Sequence, residues 1–299
     1  MSGPDAAAPT VSAIQPGSRV RLGSAAHLAL FCRELLETHD PYRPAVIAWP
    51  HLDAQTRDRI VSLPIWDIAV QTEERAGRNV RSFAETLEPG LLRAAVEMDA
   101  FEESRHRTVL ASLATFYGMT LAKEPAYRRP RDPEWAFMVT GYSECIDSVF
   151  GFGLFELVKQ TGFIPPELVD TFEPVMREEG RHILFFVNWA AWRRRNLAWW
   201  RRPWFELRVL AVWIFLIWER VGLARRMETD GKAADANFTL SGSRELGVEI
   251  APGAFLRLCL EANARRLAPY DPRLVRPKLV PAVLRLGAWL MRSRPGAPV

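Results

Sequence analysis

Glu102-Glu103-Ser104-Arg105-His106 and Glu178-Glu179-Gly180-Arg181-His182 decide how this chain is read. The two pentapeptides agree at four of five positions across an interval of 76 residues. Each sets a Glu and a His three residues apart, on one side of a helical turn, so that both side chains can reach the same point. Upstream, Thr72-Glu73 and Ser143-Glu144 match in the same way. The repeated unit is a helical hairpin, and its alignment selects Glu73 over its neighbour Glu74 as the counterpart of Glu144.

Working outward from these motifs, turn signals mark four long helices. The first starts at Ser62, with Pro64 in its opening turn, and stops at Pro89-Gly90; the second runs on to Gly118. The third has Asp132 as N-cap before Pro133 and ends near Gly162, and the fourth runs from Pro165-Pro166 to the Arg193–Asn196 run. Tight turns within each pair force the partners antiparallel. The connection from Gly118 to Asp132 is longer and, at about 3.4 Å per extended residue, can travel most of the length of a helix. The predicted architecture is all-α: a four-helix bundle over 62–198 with one long crossover. A disordered leader is expected at 1–20 and outer helices within 21–61, at 24–37 and 53–61. A helical extension is expected over 199–299, with helices at 199–226, 252–267 and 281–292 and a loop at 227–250.

Each bundle helix carries an inward stripe at spacings of three and four, and acidic residues interrupt all four stripes. They are Glu73 on the first helix, Asp99 and Glu103 with His106 on the second, Glu144 and Asp147 on the third, and Glu179 with His182 on the fourth. Burying four glutamates and two imidazoles alone costs several kcal/mol per ion, because mutual repulsion adds to desolvation. Two divalent cations would balance the four glutamates. Oxygen-rich ligation with one imidazole per metal suits iron or manganese better than zinc, so a dinuclear non-haem centre is expected. Asp99 and Asp147 are expected to have a structural hydrogen-bonding role, with direct metal binding or proton relay as the other reading and a place in the shell that supports the ligands. His27, His39 and His51 lie outside the bundle and are read as surface or loop histidines.

Over residues 62 to 198 these motifs resemble the ferritin-like di-iron carboxylate superfamily. The resemblance implies bridging carboxylates and imidazoles from Glu103 with His106 and from Glu179 with His182, and terminal carboxylates from Glu73 and Glu144. The fuller pattern, acid-Glu-x-Arg-His, is similar to the repeated signature of bacterial di-iron monooxygenases, where the extra acid and the Arg support the ligands. That implies supporting roles for Glu102, Glu178, Arg105 and Arg181. Those enzymes usually carry Asp at the acid position, so the sequence leaves open how the longer side chain meets the imidazole. The implied cofactor is two iron ions, with a mixed manganese and iron pair as the alternative. The implied partners are O2, a small organic substrate and an external electron donor, in an oxygenase or oxidase reaction. Ferritin-type iron oxidation without an organic substrate is the competing expectation, and about a hundred residues beyond the bundle argue against it. Phe137, Tyr142 and Gly151 on the third helix are candidates for the substrate pocket, with ordinary core packing as the other reading of the aromatics.

Composition narrows the remaining classes. Of 299 residues, 48% are hydrophobic and 25% charged, enough for one large core with an appendage. Thirty-nine basic residues against 35 acidic ones is a small excess, and no nucleic-acid partner is expected. Cys32, Cys145 and Cys259 are scattered, which excludes a Cys-x-x-Cys site and points to a cytoplasmic compartment. The longest apolar run, from Val209 to Trp218, is about half of the roughly 20 residues a spanning helix needs. The tryptophan- and arginine-rich segment 199–226 is expected to pack on the bundle or form a homodimer interface; the competing reading is peripheral contact with the inner membrane face.

Overall fold

A computed structural model describes residues 20–63, 65–123, 126–229 and 250–292. These residues are all-helical, with no strand among them. Residues 1–19 of the expected leader and the expected loop from 230 to 249 lie outside the described residues.

Two outer helices come first, α1 (Ala25–Glu37) and α2 (Ala54–Val61). Their caps are legible in sequence: Ser24 accepts from the His27 amide and Asp53 from the Thr56 amide. The long helices α3 (Trp66–Ala84), α4 (Leu91–Phe116), α5 (Pro133–Thr161) and α7 (Glu173–Asn196) follow, with the short α6 (Pro166–Thr171) before α7. Two boundaries differ from expectation. Ser62 closes α2 instead of opening the next helix. The expected fourth helix breaks at Phe172, because Pro174 has no N–H to bond the carbonyl one turn back. Asp132 caps α5 through the Trp135 amide, and Gly162 ends it at a φ of 64°, both where the sequence put them.

The Phe83 ring, near the end of α3, stacks on Phe137, near the start of α5, at 4.5 Å, and Trp189, late in α7, meets Phe137 at 4.7 Å. The end of α3, the start of α5 and the end of α7 therefore share one end of the molecule. The connection between α4 and α5 has to run the full length, and its contacts along α3 trace that path. The Ala122 amide bonds Asp67, Tyr127 bonds Asn79, and Arg129 pairs with Glu85. α3 packs most extensively on α4, and α5 lies against both α3 and α7.

α1 covers α4 and α7 from outside. α8 (Arg202–Thr229) lies along α5, α9 (Pro252–Leu267) packs on α5 and α7, and α10 (Leu279–Arg292) packs on α9. Close approach depends on two glycines of α5. A Cβ on Gly141 would stand 2.2 Å from the Phe186 ring, and one on Gly153 would stand 2.3 Å from Cys259 Sγ. The three cysteines are buried and unpaired. No helix among the described residues is long and apolar enough to cross a membrane.

Candidate metal centre

The two pentapeptides face one another across the interior, on α4 and α7. Glu103, His106, Glu179 and His182 each offer a ligand atom, and these atoms lie within 4.8 Å of one another, close enough to hold a metal ion. The two imidazole centroids are 5.5 Å apart. Glu73 of α3 reaches within 3.5 Å of His106 Nδ1, whereas Glu74 turns outward to Arg78 and Arg107. Glu144 of α5 joins the same space, lining one cavity with Glu73, Glu103, His106 and Glu179.

The support around this group is reciprocal. Glu178 of the second motif accepts from His106 Nε2 of the first at 2.8 Å, and Glu102 of the first accepts from His182 Nε2 of the second at 2.8 Å. The arginines cross over in the same way, Arg105 to Glu178 and Arg181 to Glu102. The longer acid at this position thus meets the imidazole of the opposite helix. A carboxylate held by an arginine is ionised and can only accept, so each Nε2 donates, and an imidazole that gives up its second proton turns a lone pair inward at Nδ1.

Those inward atoms test whether a cation fits. His106 Nδ1, His182 Nδ1 and Glu103 Oε1 are buried without a hydrogen-bond partner. His182 Nδ1 and Glu103 Oε1 stand 2.7 Å apart, a separation that needs either a shared proton or a cation between them. Two electron-pair donors at that separation, both desolvated, fit a positive charge bound between them. The donor set contains carboxylate oxygen and imidazole nitrogen and no thiolate.

Electrostatics give the same answer. Burial, with the neighbouring Glu73 carboxylate adding to it, pushes Glu103 up to about 8. Burial and then Glu103 hold Glu144 well above the ordinary carboxylate range, and burial lifts Asp99 to about 6. Burial opposes charging of the imidazoles, but Glu178, Glu179 and Glu73 outweigh it at His106, as Asp99, Glu102 and Glu103 do at His182, and both are raised well above normal. Glu102 moves the other way: burial is outweighed by His182, Arg181 and His39, and it stays ionised. Without metal, the inner group holds protons where cations would sit.

Other expected residues are placed differently. Asp99 is buried, 3.6 Å from His182 Nε2. Asp147 is exposed and bound by Arg220 of α8 and by Ser143, so it supports the mouth of the cavity and not the ligands. Phe137 belongs to the aromatic block with Phe83 and Trp189, and Tyr142 packs between Phe186 and Trp213; neither lines the cavity. The space that the small Gly141 leaves between helices is taken by the Phe186 ring, against which both pack. Gly151 does line the cavity, with open space where a Cβ would stand.

Two histidines read as surface or loop residues have internal roles, His39 from a loop and His27 from α1. His27 is fully buried and bonds Asn188 at 2.9 Å. His39 bonds the second oxygen of Glu102, and Tyr42 stacks on Arg105, 3.9 Å from its guanidinium carbon, while its hydroxyl donates to Glu178 at 3.4 Å. His39 and Tyr42 sit on an irregular segment between α1 and α2. Periodicity carries no information there, and nothing in the sequence marks them.

The cavity has a volume of about 520 Å3. Its acidic end is Glu73, Glu103, Glu144 and Glu179, and its walls include Val109, Val139, Phe152, Val175, Met176 and Phe215. Comparison with protein-family models, with curated proteins and with solved structures found no match.

Proposed function

We propose that this chain is a ferritin-like, non-haem di-iron oxidoreductase that uses O2 to oxidise a small, partly apolar organic molecule. The observation that carries the reading is the pair of inward Nδ1 atoms, each on an imidazole fixed by the acid of the opposite motif and each facing carboxylate oxygens at 2.7–3.5 Å. The path of the connection along α3 supports the ferritin-like topology, since a single long crossover characterises that bundle. Glu73, Glu103 and His106 would hold the metals from one hairpin, and Glu144, Glu179 and His182 from the other. Iron in both positions is the first choice for this ligand set, with a manganese and iron pair as the variant. When bound, the pair would supply electrons to O2, chemistry that side chains do not perform alone.

The chain's own part is positional. Glu102 and Glu178 orient the imidazoles and raise their basicity through Nε2. The cavity lies within the size range of small-molecule sites, acidic where the metals would sit and apolar along its walls, which favours an organic substrate over iron storage. Electrons would come from an external donor, because each described cysteine is buried and unpaired. Anaerobic loading with Fe(II) followed by O2 separates the readings. The oxidoreductase takes up O2 with no growth in particle size and then oxidises an added apolar substrate with a reductase; accumulation of ferric mineral beyond the bound pair would favour ferritin-type iron oxidation.

A further inference from the structure

An apolar helix normally hides its apolar surface, and α8 hides only half of its own. Phe205, Val212 and Leu216 are buried against the rest of the molecule. On the other side Leu207, Leu210, Ile214, Ile217, Trp218 and Val221 form a stripe at spacings of three and four that is exposed throughout, Ile214 at 59% and Trp218 at 65%. It extends about 21 Å at the rise of an α-helix. Trp200 and Trp204 continue it at the start of the helix, Trp204 at 72% exposure. The same division recurs on α10, where Val280, Leu284 and Ala288 are buried while Leu279, Val283, Leu286 and Leu290 are exposed. Monomeric soluble proteins seldom show contiguous apolar surface on this scale.

Charge identifies what covers it. Residues 199–226 carry six arginines against two glutamates, and residues 276–292 carry four basic residues and no acid. Arg201, Lys278 and Arg285 are exposed and make no ion pair among the described residues. A second copy docked on α8 would bring like charges together, since arginines stand near both ends of the helix. Tryptophan and leucine beside arginine and lysine on an amphipathic helix match a lipid interface, where rings sit at headgroup depth and cations meet anionic headgroups.

We propose that the outer faces of α8 and α10 dock this protein on an anionic lipid membrane, peripherally and without spanning it. The proposal stands independently of the metal. It bears on the cavity, because Phe215 and Glu219 on the inner side of α8 line it. The helix that meets the lipid is therefore also a wall of the site.

The test is flotation of the full chain with phosphatidylcholine vesicles, with and without phosphatidylglycerol, at low and high salt. The protein is expected to float with the anionic vesicles and to be released by salt. Ile214→Asp with Ile217→Asp should lower the partition coefficient at least about tenfold. Arg201→Glu with Arg285→Glu, two exposed positions whose change leaves the core intact, should lower binding to anionic vesicles alone; circular dichroism verifies that both variants are folded. Failure to float with either vesicle would overturn the proposal, as would equal, salt-insensitive binding to both. A dimer in light scattering that the isoleucine variant dissociates, with no vesicle binding, would overturn it in favour of a second copy.

Discussion

The interior between α4 and α7 and the outer face of α8 depart from the usual partition of residues in opposite directions. One buries ionisable residues, Asp99, Glu102, Glu103, Arg105, His106, Glu178, Arg181 and His182, where apolar side chains are the rule, and the other exposes Leu207, Ile214 and Trp218 where polar ones are the rule. On its outer side the buried group joins arginine to carboxylate to imidazole, and on its inner side His106 Nδ1, His182 Nδ1 and Glu103 Oε1 face one another. The exposed face is complete toward the core and incomplete toward solvent. Each region thus has one open side that describes a partner: a cation in the first, an apolar surface in the second.

The largest expected effect breaks the first region alone. His106→Ala with His182→Ala removes both inward imidazoles and should take metal content from two ions per chain to none in elemental analysis, while Ile214→Asp with Ile217→Asp leaves that content unchanged. Next is Glu178→Gln, which keeps the shape of the support but removes the carboxylate that orients His106 and pairs with Arg105. Metal affinity should fall about 10–100-fold, measured by competition with a chelator; an unchanged affinity would mean that the outer acids are not part of the site.

A smaller effect concerns pH. Glu103 titrates near 8 in the folded protein, so across the range from the usual carboxylate value up to 8 the native state keeps a proton that the unfolded chain has lost. The raised imidazoles act in the same sense, their stabilisation present below the ordinary histidine value and lost as pH rises through the folded one. Chelator-treated protein should therefore lose thermal stability between mildly acidic and mildly alkaline buffer. Metal-loaded protein should not, because cations have replaced the protons. The smallest effect belongs to the second region: Leu207→Ser and Leu210→Ser should each change unfolding free energy by no more than about 0.5 kcal/mol. A loss several times larger would show that the stripe is packed, and the contrast between the regions would fail.

The legible parts of this molecule were those with a period or a repeat. The pentapeptides carry their spacing in the sequence, and the duplication distinguished Glu73 from Glu74, which the structure separates by direction. The cap at Asp132 and the helix starts at Ser24 and Asp53 were readable because a short polar side chain before an apolar period has one common use. The crossing of support between helices was not readable, since helical spacing relates Glu102 to His106 on its own helix but says nothing of its distance to His182. His39 and Tyr42 were missed for the same reason, lying on an irregular segment brought to Glu102 and Glu178 only by the tertiary fold. The structural hydrogen-bonding role expected of Asp147 is present, but its partner Arg220 on α8 was not readable, because no period relates the two helices. The aromatics Phe137 and Tyr142 show that ring content alone does not separate a pocket wall from a core.

Metal stoichiometry in the purified protein after anaerobic loading with Fe(II) and removal of loose metal tests the central claim most directly. The account predicts two ions per chain in the parent and none in the double histidine variant. A parent protein that folds fully and retains no metal, under conditions where both imidazoles are neutral, would contradict it.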